Sequence, residues 1–252
     1  VRFKLKRRRV TVICIPAQPL TTILNYPVED PAMKTEELLT RAAQLDPAAL
    51  ADADKKIRVM SPDIRPIQSG LQLLGKAYTV RCHEDFLAVI GALEDADAGD
   101  ILVIDTQDSR AAVVGELFSM EAARKGLGGI VIDGACRDIS TIEQLDMPVY
   151  ARFVTPVSGT TMALGELQTQ IVCGDVEVNP GDIIFGDDDG IIVASTSELE
   201  ELLPVAEQIK LTERAVLEKI IGGTSLLSLL NYPEHRRQRQ EGDASSTLKF
   251  RL

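Results

Sequence analysis

Two short apolar segments constrain the fold of this chain more than any other feature of its sequence. ILVID at residues 101–105 and GIVID at residues 129–133 are rich in β-branched residues, and each ends in an aspartate. Continuous apolar runs of this length are typical of strands that are buried on both faces. Residues 111–125, which lie between them, carry apolar residues at three- and four-residue spacings and predict a helix. Together they indicate a βαβ unit in a parallel sheet.

The chain extends this unit and then changes character beyond Pro156. The same criteria predict strands at residues 77–82, 149–153, 170–173, 176–178, 182–185 and 190–194, and helices at residues 85–94 and 139–145. Residues 195–197 predict the start of a further helix that reaches Ile221, with a break or a late first turn at Pro204. We therefore expect an α/β half, then a β-rich half and a C-terminal helix.

The charge and hydropathy of the chain exclude two classes of protein. Its 252 residues include 38 acidic and 27 basic side chains, and the net charge of −11 opposes binding to nucleic acid. Six basic groups in residues 1–9 are a local exception. No apolar run approaches the roughly 20 residues that span a bilayer. We expect neither a nucleic-acid partner nor a membrane partner.

The cysteines and histidines limit the chemistry. Cys14, Cys82, Cys136 and Cys173 are far apart and form no CxxC pair, which favours a reducing, cytoplasmic setting. Two histidines are too few for a histidine-rich metal centre. Any bound metal must therefore be held mainly by oxygen ligands.

The two ends of the chain differ from its centre. We interpret residues 1–32 as a non-core N-terminal extension upstream of a start at Met33, and residues 231–252 as a polar C-terminal tail. A single folded domain is predicted between them, over residues 33–230.

Arg137 and Asp138 directly follow the GIVID strand region and are candidates for a functional site. Ligands of α/β sheets bind outside the carboxyl ends of the strands, so we expect a site where the ILVID and GIVID ends meet. A guanidinium can grip a substrate carboxylate with two hydrogen bonds, and a carboxylate is a hard ligand for a divalent cation. The alternative is that Asp138 only caps the next helix while Arg137 pairs with a surface acid.

The segment Gly115-Glu116-Leu117-Phe118 is a second candidate. A glycine there would let backbone amides near a helix N-terminus approach an anionic ligand. The alternative is ordinary core packing by Leu117 and Phe118, with Glu116 on a solvated face. The spacing does not decide between the two.

Several motifs in the right order resemble those of the RraA-like family. They lie between about residues 75 and 194 and read GKAYTVRC, GELF, GGIVIDGACRD, MPVYARFVTP and GDDDGIIVA. The family contains 4-hydroxy-4-methyl-2-oxoglutarate aldolases and regulators of ribonuclease E activity. The resemblance implies a swivelling β/β/α fold, assembled as homotrimers or hexamers with the active site near a subunit boundary.

The resemblance to the aldolases also implies site residues. Substrate binding would fall to the backbone amides of Gly115, Glu116, Leu117 and Phe118 and to the guanidinium of Arg137. Asp138 would be the protein ligand of Mg²⁺ or Mn²⁺, and Glu116 would orient a metal-bound water. Arg137, Asp138 and Glu116 are then the catalytic residues of a class II aldolase that releases pyruvate from a small 2-oxo acid. The same chemistry would serve oxaloacetate decarboxylation.

One position favours the aldolases over the regulators. The regulators have an uncharged residue after the arginine, which cannot anchor a hard cation, whereas this chain has Asp138. Ser140 and Thr141 stand where the family often has an acid, so the substrate identity stays open. The alternative function is a non-catalytic regulator that binds a ribonuclease or another protein. Glu213 is a weaker candidate, as an acid contributed to the site of a neighbouring subunit.

Overall fold

The computed structural model describes residues 31–251. Its helices are α1 (Pro31–Ala42), α2 (Pro47–Ala53), α3 (Leu87–Asp95), α4 (Glu116–Lys125), α5 (Ile139–Ile142), α6 (Thr196–Ile221) and α7 (Tyr232–Gln240), with a 3₁₀ turn at Leu226–Leu229. Its strands are β1 (Arg58–Val59), β2 (Arg65–Pro66), β3 (Leu73–Arg81), β4 (Ile101–Asp105), β5 (Ala112–Val114), β6 (Gly129–Cys136), β7 (Val149–Val154), β8 (Glu166–Leu167), β9 (Ile171–Cys173), β10 (Val176–Val178), β11 (Ile183–Asp187) and β12 (Gly190–Ala194).

Four parallel strands form the centre of the main sheet, in the order β3, β4, β6, β7. β4 and β6 pair in register from Ile101 with Gly129 to Asp105 with Asp133, so the two aspartate-terminated segments are neighbours. Antiparallel strands extend the sheet on both sides, with β11, β12 and β1 beyond β3 and β2 beyond β7. The predicted α/β half, β-rich half and C-terminal helix are confirmed.

The central strands are buried on both faces, as their continuous apolar sequence predicts. Leu102 and Ile104 of β4 pack in one cluster with residues of α3 and α4. Ile101 and Val103 pack on the opposite face with residues of the β9–β10 hairpin. Full burial of each such side chain contributes roughly 1.5–3 kcal/mol. The sheet is therefore a rigid platform for the loops at its carboxyl edge.

A third cluster covers β11 and β12 with α1, α2 and α6. α6 begins where the sequence predicts, because Ser195 and Glu198 form a reciprocal capping box. The predicted break at Pro204 is wrong, since α6 is continuous from Thr196 to Ile221. Leu203 and Ala206 on either side of the proline are fully buried, and their packing offsets the lost backbone hydrogen bond.

The predicted helix at residues 111–125 is wrong in its first part. Ala112–Val114 is the strand β5, which pairs in parallel with the end of β6, and α4 begins only at Glu116. The three β5 side chains are buried, and Ala112 also donates to the carbonyl of Val157. The helix predicted at residues 139–145 is likewise shorter and ends at Ile142.

The structure describes nearly all of the predicted C-terminal tail but little of the predicted N-terminal extension. Residues 1–30 of the predicted extension lie outside the described residues, and α1 begins at Pro31. The start at Met33 stays a prediction. Within the predicted tail, Tyr232–Gln240 forms α7, which buries no side chain. Ion pairs of Arg237 with Glu234 and Glu241 run along this helix, a local signal that apolar periodicity does not capture. Within residues 31–251, none of the helices is long and apolar enough to cross a membrane.

The buried carboxylate of Asp85 ties the loop before β8 to the start of α3. It accepts hydrogen bonds from the hydroxyl of Thr160 and from the backbone amides of Leu87, Met162 and Ala163. Burial alone would raise the pKa of Asp85, but these four donors lower it from 3.8 to about 2. The loop and α3 are thereby held together by one side chain.

We expect Asp85→Asn to lower the Tm at pH 7, because an amide NH₂ would face backbone N–H donors. The folded-state pKa lies below the ordinary value, so the stabilisation is present above about pH 4 and is lost as the pH falls toward 2. Thermal unfolding of both proteins between pH 2 and 7 should show their difference shrinking with acidity. Asp97→Asn, at an exposed acid, is the control. A difference that does not depend on pH would contradict this role.

Candidate functional site

A cavity of about 200 Å³ opens at the carboxyl ends of β5 and β6, beside the N-terminus of α4. It is smaller than the roughly 300–1,000 Å³ of sites for drug-sized ligands and suits a small molecule. Its lining residues are Phe86, Ala112, Val113, Val114, Gly115, Glu116, Leu117, Phe118, Arg137, Asp138 and Ser158. All six residues that the sequence indicated as a site lie in this lining. Their individual roles stay predictions.

Gly115 brings the two candidate segments into contact. It is the N-cap of α4, and a Cβ atom at this position would lie 2.5 Å from Oδ2 of Asp138 and 3.0 Å from Cγ of Arg137. Any side chain here would therefore displace the side chains of Asp138 and Arg137. The glycine is required for close approach and not for backbone conformation, because its φ of −147° is open to other residues.

Asp138 lies at the N-cap position of α5, with a left-handed backbone (φ 58°), but its side chain makes no capping hydrogen bond there. Its Oδ2 instead accepts from the backbone amide of Glu116 at 3.2 Å and faces Nε of Arg137 at 3.3 Å. Both side chains remain partly exposed, 43% for Arg137 and 36% for Asp138. The alternative considered from the sequence, in which Asp138 caps α5 and Arg137 pairs with a separate surface acid, does not describe this arrangement.

The first turn of α4 presents backbone amides to the cavity. The amide of Glu116 is used by Asp138, whereas those of Leu117 and Phe118 have no hydrogen-bond partner among residues 31–251. Amides at a helix N-terminus, together with the helix dipole, favour an anionic ligand. The side chain of Leu117 is 71% exposed and so is not a core residue, while Phe118 packs edge-on against Phe86 with 5.5 Å between ring centroids.

The side chain of Glu116 is held by a residue of α5. Its Oε2 accepts a hydrogen bond of 3.0 Å from the hydroxyl of Thr141. The carboxylates of Glu116 and Asp138 thus belong to one hydrogen-bonded group that spans α4 and α5. In the sequence Thr141 is only a departure from the family pattern, whereas in the structure its hydroxyl has Glu116 as a partner.

The donor set fits a hydrated divalent cation bound through one carboxylate. Oδ1 of Asp138 has no hydrogen-bond partner among the described residues, so a hard oxygen remains open to a cation beside the cavity. Over residues 31–251 there is no group of three or more His, Cys, Asp or Glu side chains arranged to hold a metal. Mg²⁺ keeps several of its waters and is suited to such a site.

Other acids at the sheet edge are already engaged. Asp105, at the end of β4, and Asp133, within β6, are register partners. They are paired with Arg81 and Arg152 respectively, and neither lines the cavity. The site forms farther along because β6 continues three residues past Asp133. There, Cys136 is fully buried, and burial raises its pKa to about 11, so it is not a nucleophile at neutral pH.

Glu213 does not line the cavity of its own chain. It lies on α6, where it pairs with Lys210, and the same lysine reaches Asp46. A role in the site of a neighbouring subunit therefore stays a prediction. The acidic turn at residues 187–189, interpreted from the sequence as structural, uses Asp188 to accept the amide of Gly70.

The sequence profile of the RraA-like family, described as Aldolase/RraA, matches residues 47–193. This chain belongs to the RraA-like family. A protein of Halalkalibacterium halodurans named "Putative 4-hydroxy-4-methyl-2-oxoglutarate aldolase" is 30% identical over 203 residues, which cover 78% of this chain and 97% of that protein. The match from α2 to β12 includes every residue that lines the cavity.

Two solved structures share the RraA-like fold of this chain. An uncharacterized protein from Pseudomonas syringae pv. tomato has a TM-score of 0.68 and 26% identity, over 77% of this chain and 92% of its own. RraAS2 of Streptomyces coelicolor, described as an unusual member of the RNase ES inhibitor RraA protein family, has a TM-score of 0.63 and 26% identity, over 73% and 98% of the two chains. The predicted fold class is confirmed.

Phe86 and Ser158 also line the cavity, and neither was predicted from the sequence. Phe86 precedes α3, and Ser158 lies in the loop after β7, where a bridge to Ala112 holds it at the rim. Neither stands next to a motif, so no local signal identifies them. The contact of Phe86 with Phe118 and the pairing at Ala112 exist only in the folded chain.

We expect Gly115→Ala to lower the affinity for Mg²⁺ by about 10- to 100-fold, because the new methyl group displaces Asp138 and Arg137. Calorimetric titration with Mg²⁺ measures the effect, and circular dichroism should show an intact fold. Gly222→Ala is the matched control, since its Cβ would have only ordinary contacts, at 3.4 Å. Equal Mg²⁺ affinity of the Gly115 variant and the parent would show that the close approach does not shape the site.

Proposed function

We propose that this protein is a divalent-metal-dependent carbon–carbon lyase that cleaves 4-hydroxy-4-methyl-2-oxoglutarate, or a related 2-oxo acid, to pyruvate. One observation carries the proposal: the Arg137 guanidinium, the open oxygen of Asp138 and the amides of α4 converge on one small cavity. A 2-oxo acid carries a carboxylate and a carbonyl on adjacent carbons, and these match the three features. The named relative from Halalkalibacterium halodurans supports the same reaction class.

Five of the residues that line the cavity have a defined task in this proposal. The planar fork of Arg137 binds the substrate carboxylate, and the amides of Leu117 and Phe118 orient it. Asp138 holds the cation, Mg²⁺ or Mn²⁺, through Oδ1. When bound, the cation supplies a Lewis acid that draws electrons toward the 2-oxo group as the carbon–carbon bond breaks.

We assign the proton transfer to Glu116 itself, which differs from the water-orienting role that the resemblance implies. Cleavage removes the proton of the 4-hydroxyl group and breaks the C3–C4 bond, giving a carbonyl product and the enolate of pyruvate, which takes up a proton at C3. The Thr141 hydroxyl holds Oε2 of Glu116, and Oε1 of the same carboxylate is left to accept and return the proton. Loss of CO₂ from oxaloacetate would give the same enolate and is a second reaction for this site.

The alternative is a non-catalytic regulator that binds a ribonuclease or another protein, and the similarity to RraAS2 supports it. The partly exposed carboxylate of Asp138 has no task in a regulator, which is why we place the enzyme first. We further propose a homotrimer or hexamer in the cytoplasm, a reducing compartment that suits the free and buried Cys82, Cys136 and Cys173.

Pyruvate release from 4-hydroxy-4-methyl-2-oxoglutarate and from oxaloacetate, measured with Mg²⁺ and with a chelator, tests the proposal. We expect turnover that needs the metal, and a loss of about 100-fold or more in Asp138→Asn, because the cation supplies several kcal/mol of charge stabilisation. Asp146→Asn, an exposed acid near α5 outside the cavity, is the matched control. Metal-independent turnover, or full activity of Asp138→Asn, would contradict the metal assignment.

Arg137→Lys keeps the positive charge but removes the two-pronged hydrogen bond. We expect KM for the 2-oxo acid to rise about 10-fold, the effect of losing roughly 1.4 kcal/mol of binding. Steady-state kinetics measure the change, with Arg124→Lys on the exposed face of α4 as the control. An unchanged KM would mean that Arg137 does not bind the substrate carboxylate.

A further inference from the structure

Thr141 lies outside the lining of the cavity but is bonded to both acidic residues that belong to it, Glu116 and Asp138. Its hydroxyl donates a hydrogen bond of 3.0 Å to Oε2 of Glu116. Its backbone amide donates one of 3.0 Å to the carbonyl of Asp138, within the first turn of α5. The backbone contact places the Thr141 hydroxyl at a fixed position relative to the Asp138 turn.

The position of α5 itself does not depend on this hydroxyl. Ile142 is fully buried in the core cluster beneath α3 and α4, and Ile139 packs against the same cluster. The amide of Glu116 also donates to Oδ2 of Asp138, which joins the two helix starts through the backbone of α4. Loss of the Thr141 hydroxyl should therefore release the Glu116 carboxylate and leave Asp138 in place.

The Glu116 side chain has no other restraint of this kind. Among residues 31–251, Thr141 is the only hydrogen-bond or ion-pair partner of its carboxylate. Glu116 is exposed at the first position of α4, and a free glutamate side chain there samples many rotamers. The Thr141 hydroxyl selects those rotamers in which Oε2 faces α5, and the other oxygen, Oε1, stays unbonded.

We propose that Thr141 is a positioning residue, which fixes the Glu116 carboxylate for proton transfer and so sets kcat without binding substrate or cation. The inference rests on the proposed function, because the proton transfer is assigned to Glu116 there. It deepens that function by placing one requirement for turnover on α5, outside the cavity. A proton-transfer group contributes about 10²- to 10⁴-fold to a rate, provided that it is held within hydrogen-bond reach of the reacting group.

Thr141→Val removes the hydroxyl at nearly constant volume and keeps the backbone amide that binds Asp138. We expect kcat for pyruvate release from 4-hydroxy-4-methyl-2-oxoglutarate to fall about 10-fold or more, part of the full contribution of the proton-transfer group. KM and the Kd for Mg²⁺ should change by less than about twofold, because neither ligand binds Thr141. Steady-state kinetics and calorimetric titration measure these quantities, and circular dichroism should show an intact fold.

Two further variants separate the hydroxyl from its surroundings. Thr141→Ser keeps the hydroxyl and should retain at least about half of the parent's kcat. Ser140→Ala is the matched control, since Ser140 is exposed on the same turn and its hydroxyl has no hydrogen-bond partner within residues 31–251. A kcat as low in Thr141→Ser as in Thr141→Val would overturn the inference, because the effect would then come from packing.

A double-mutant cycle tests whether Thr141 acts through Glu116. Glu116→Gln removes the proton-transfer group, so adding Thr141→Val to it should lower kcat by no more than about twofold. A further loss as large as that seen in the parent would overturn the inference, since the hydroxyl would then act on another group. A rise in KM or in the Kd for Mg²⁺ that matches the fall in kcat would overturn it as well.

Turnover by the parent separates this inference from the proposed function. If the parent releases pyruvate and Thr141→Val does so equally fast, the positioning role is wrong and the lyase assignment stands. If the parent releases no pyruvate from 4-hydroxy-4-methyl-2-oxoglutarate or from oxaloacetate, the lyase assignment is wrong and the inference fails with it.

Discussion

The parallel pairing of β4 with β6 is the constraint on which the rest of the molecule depends. Both strands are apolar along their length, so each of their faces must be covered, and helices α3 and α4 cover one face while the β9–β10 hairpin covers the other. A parallel pair also requires a crossover, and that crossover contains both β5 and α4. β6 continues past Asp133 and pairs with β5. The start of α4, which follows β5, and the Arg137-Asp138 turn, which follows β6, therefore lie side by side.

Gly115 lets these two segments approach closely enough to form the candidate site. Two segments 22 residues apart in sequence approach until the Asp138 carboxylate accepts the Glu116 amide, and only the absence of a side chain at Gly115 allows it. The carboxylate thereby satisfies one of the amides that every helix N-terminus leaves unpaired. The same contact leaves the next two amides of α4 open beside a guanidinium. In the proposed function, the amides that bind the anion and the carboxylate that binds the cation belong to this one backbone arrangement.

The sequence predicted those parts of the structure that depend on local pattern. The bounds of β4, β10, β12 and α6 agree with the predicted bounds. The apolar periodicity, the turn residues and the Ser195 cap that predict them are all local signals. The motifs also predicted, as a group, six of the residues that line the cavity. Ala112–Val114 was misassigned because its apolar residues also suit a helix, and only the distant partners β6 and Val157 make it a strand. Phe86, Thr141 and Ser158 depend on contacts across the fold in the same way.

Three aspartates near strand ends show that position alone does not make a functional carboxylate. Asp85 is surrounded by four donors and is buried, so its oxygens are used in holding a loop. Asp133 is shared between the Arg152 guanidinium and the Gly174 amide. In Asp138 only Oδ2 has a partner among residues 31–251, and the side chain remains a third exposed. A carboxylate can take a ligand only with an oxygen that the fold has not already used, and among the described residues Oδ1 of Asp138 is such an oxygen. The candidate site therefore lies where the fold's hydrogen bonding is left incomplete.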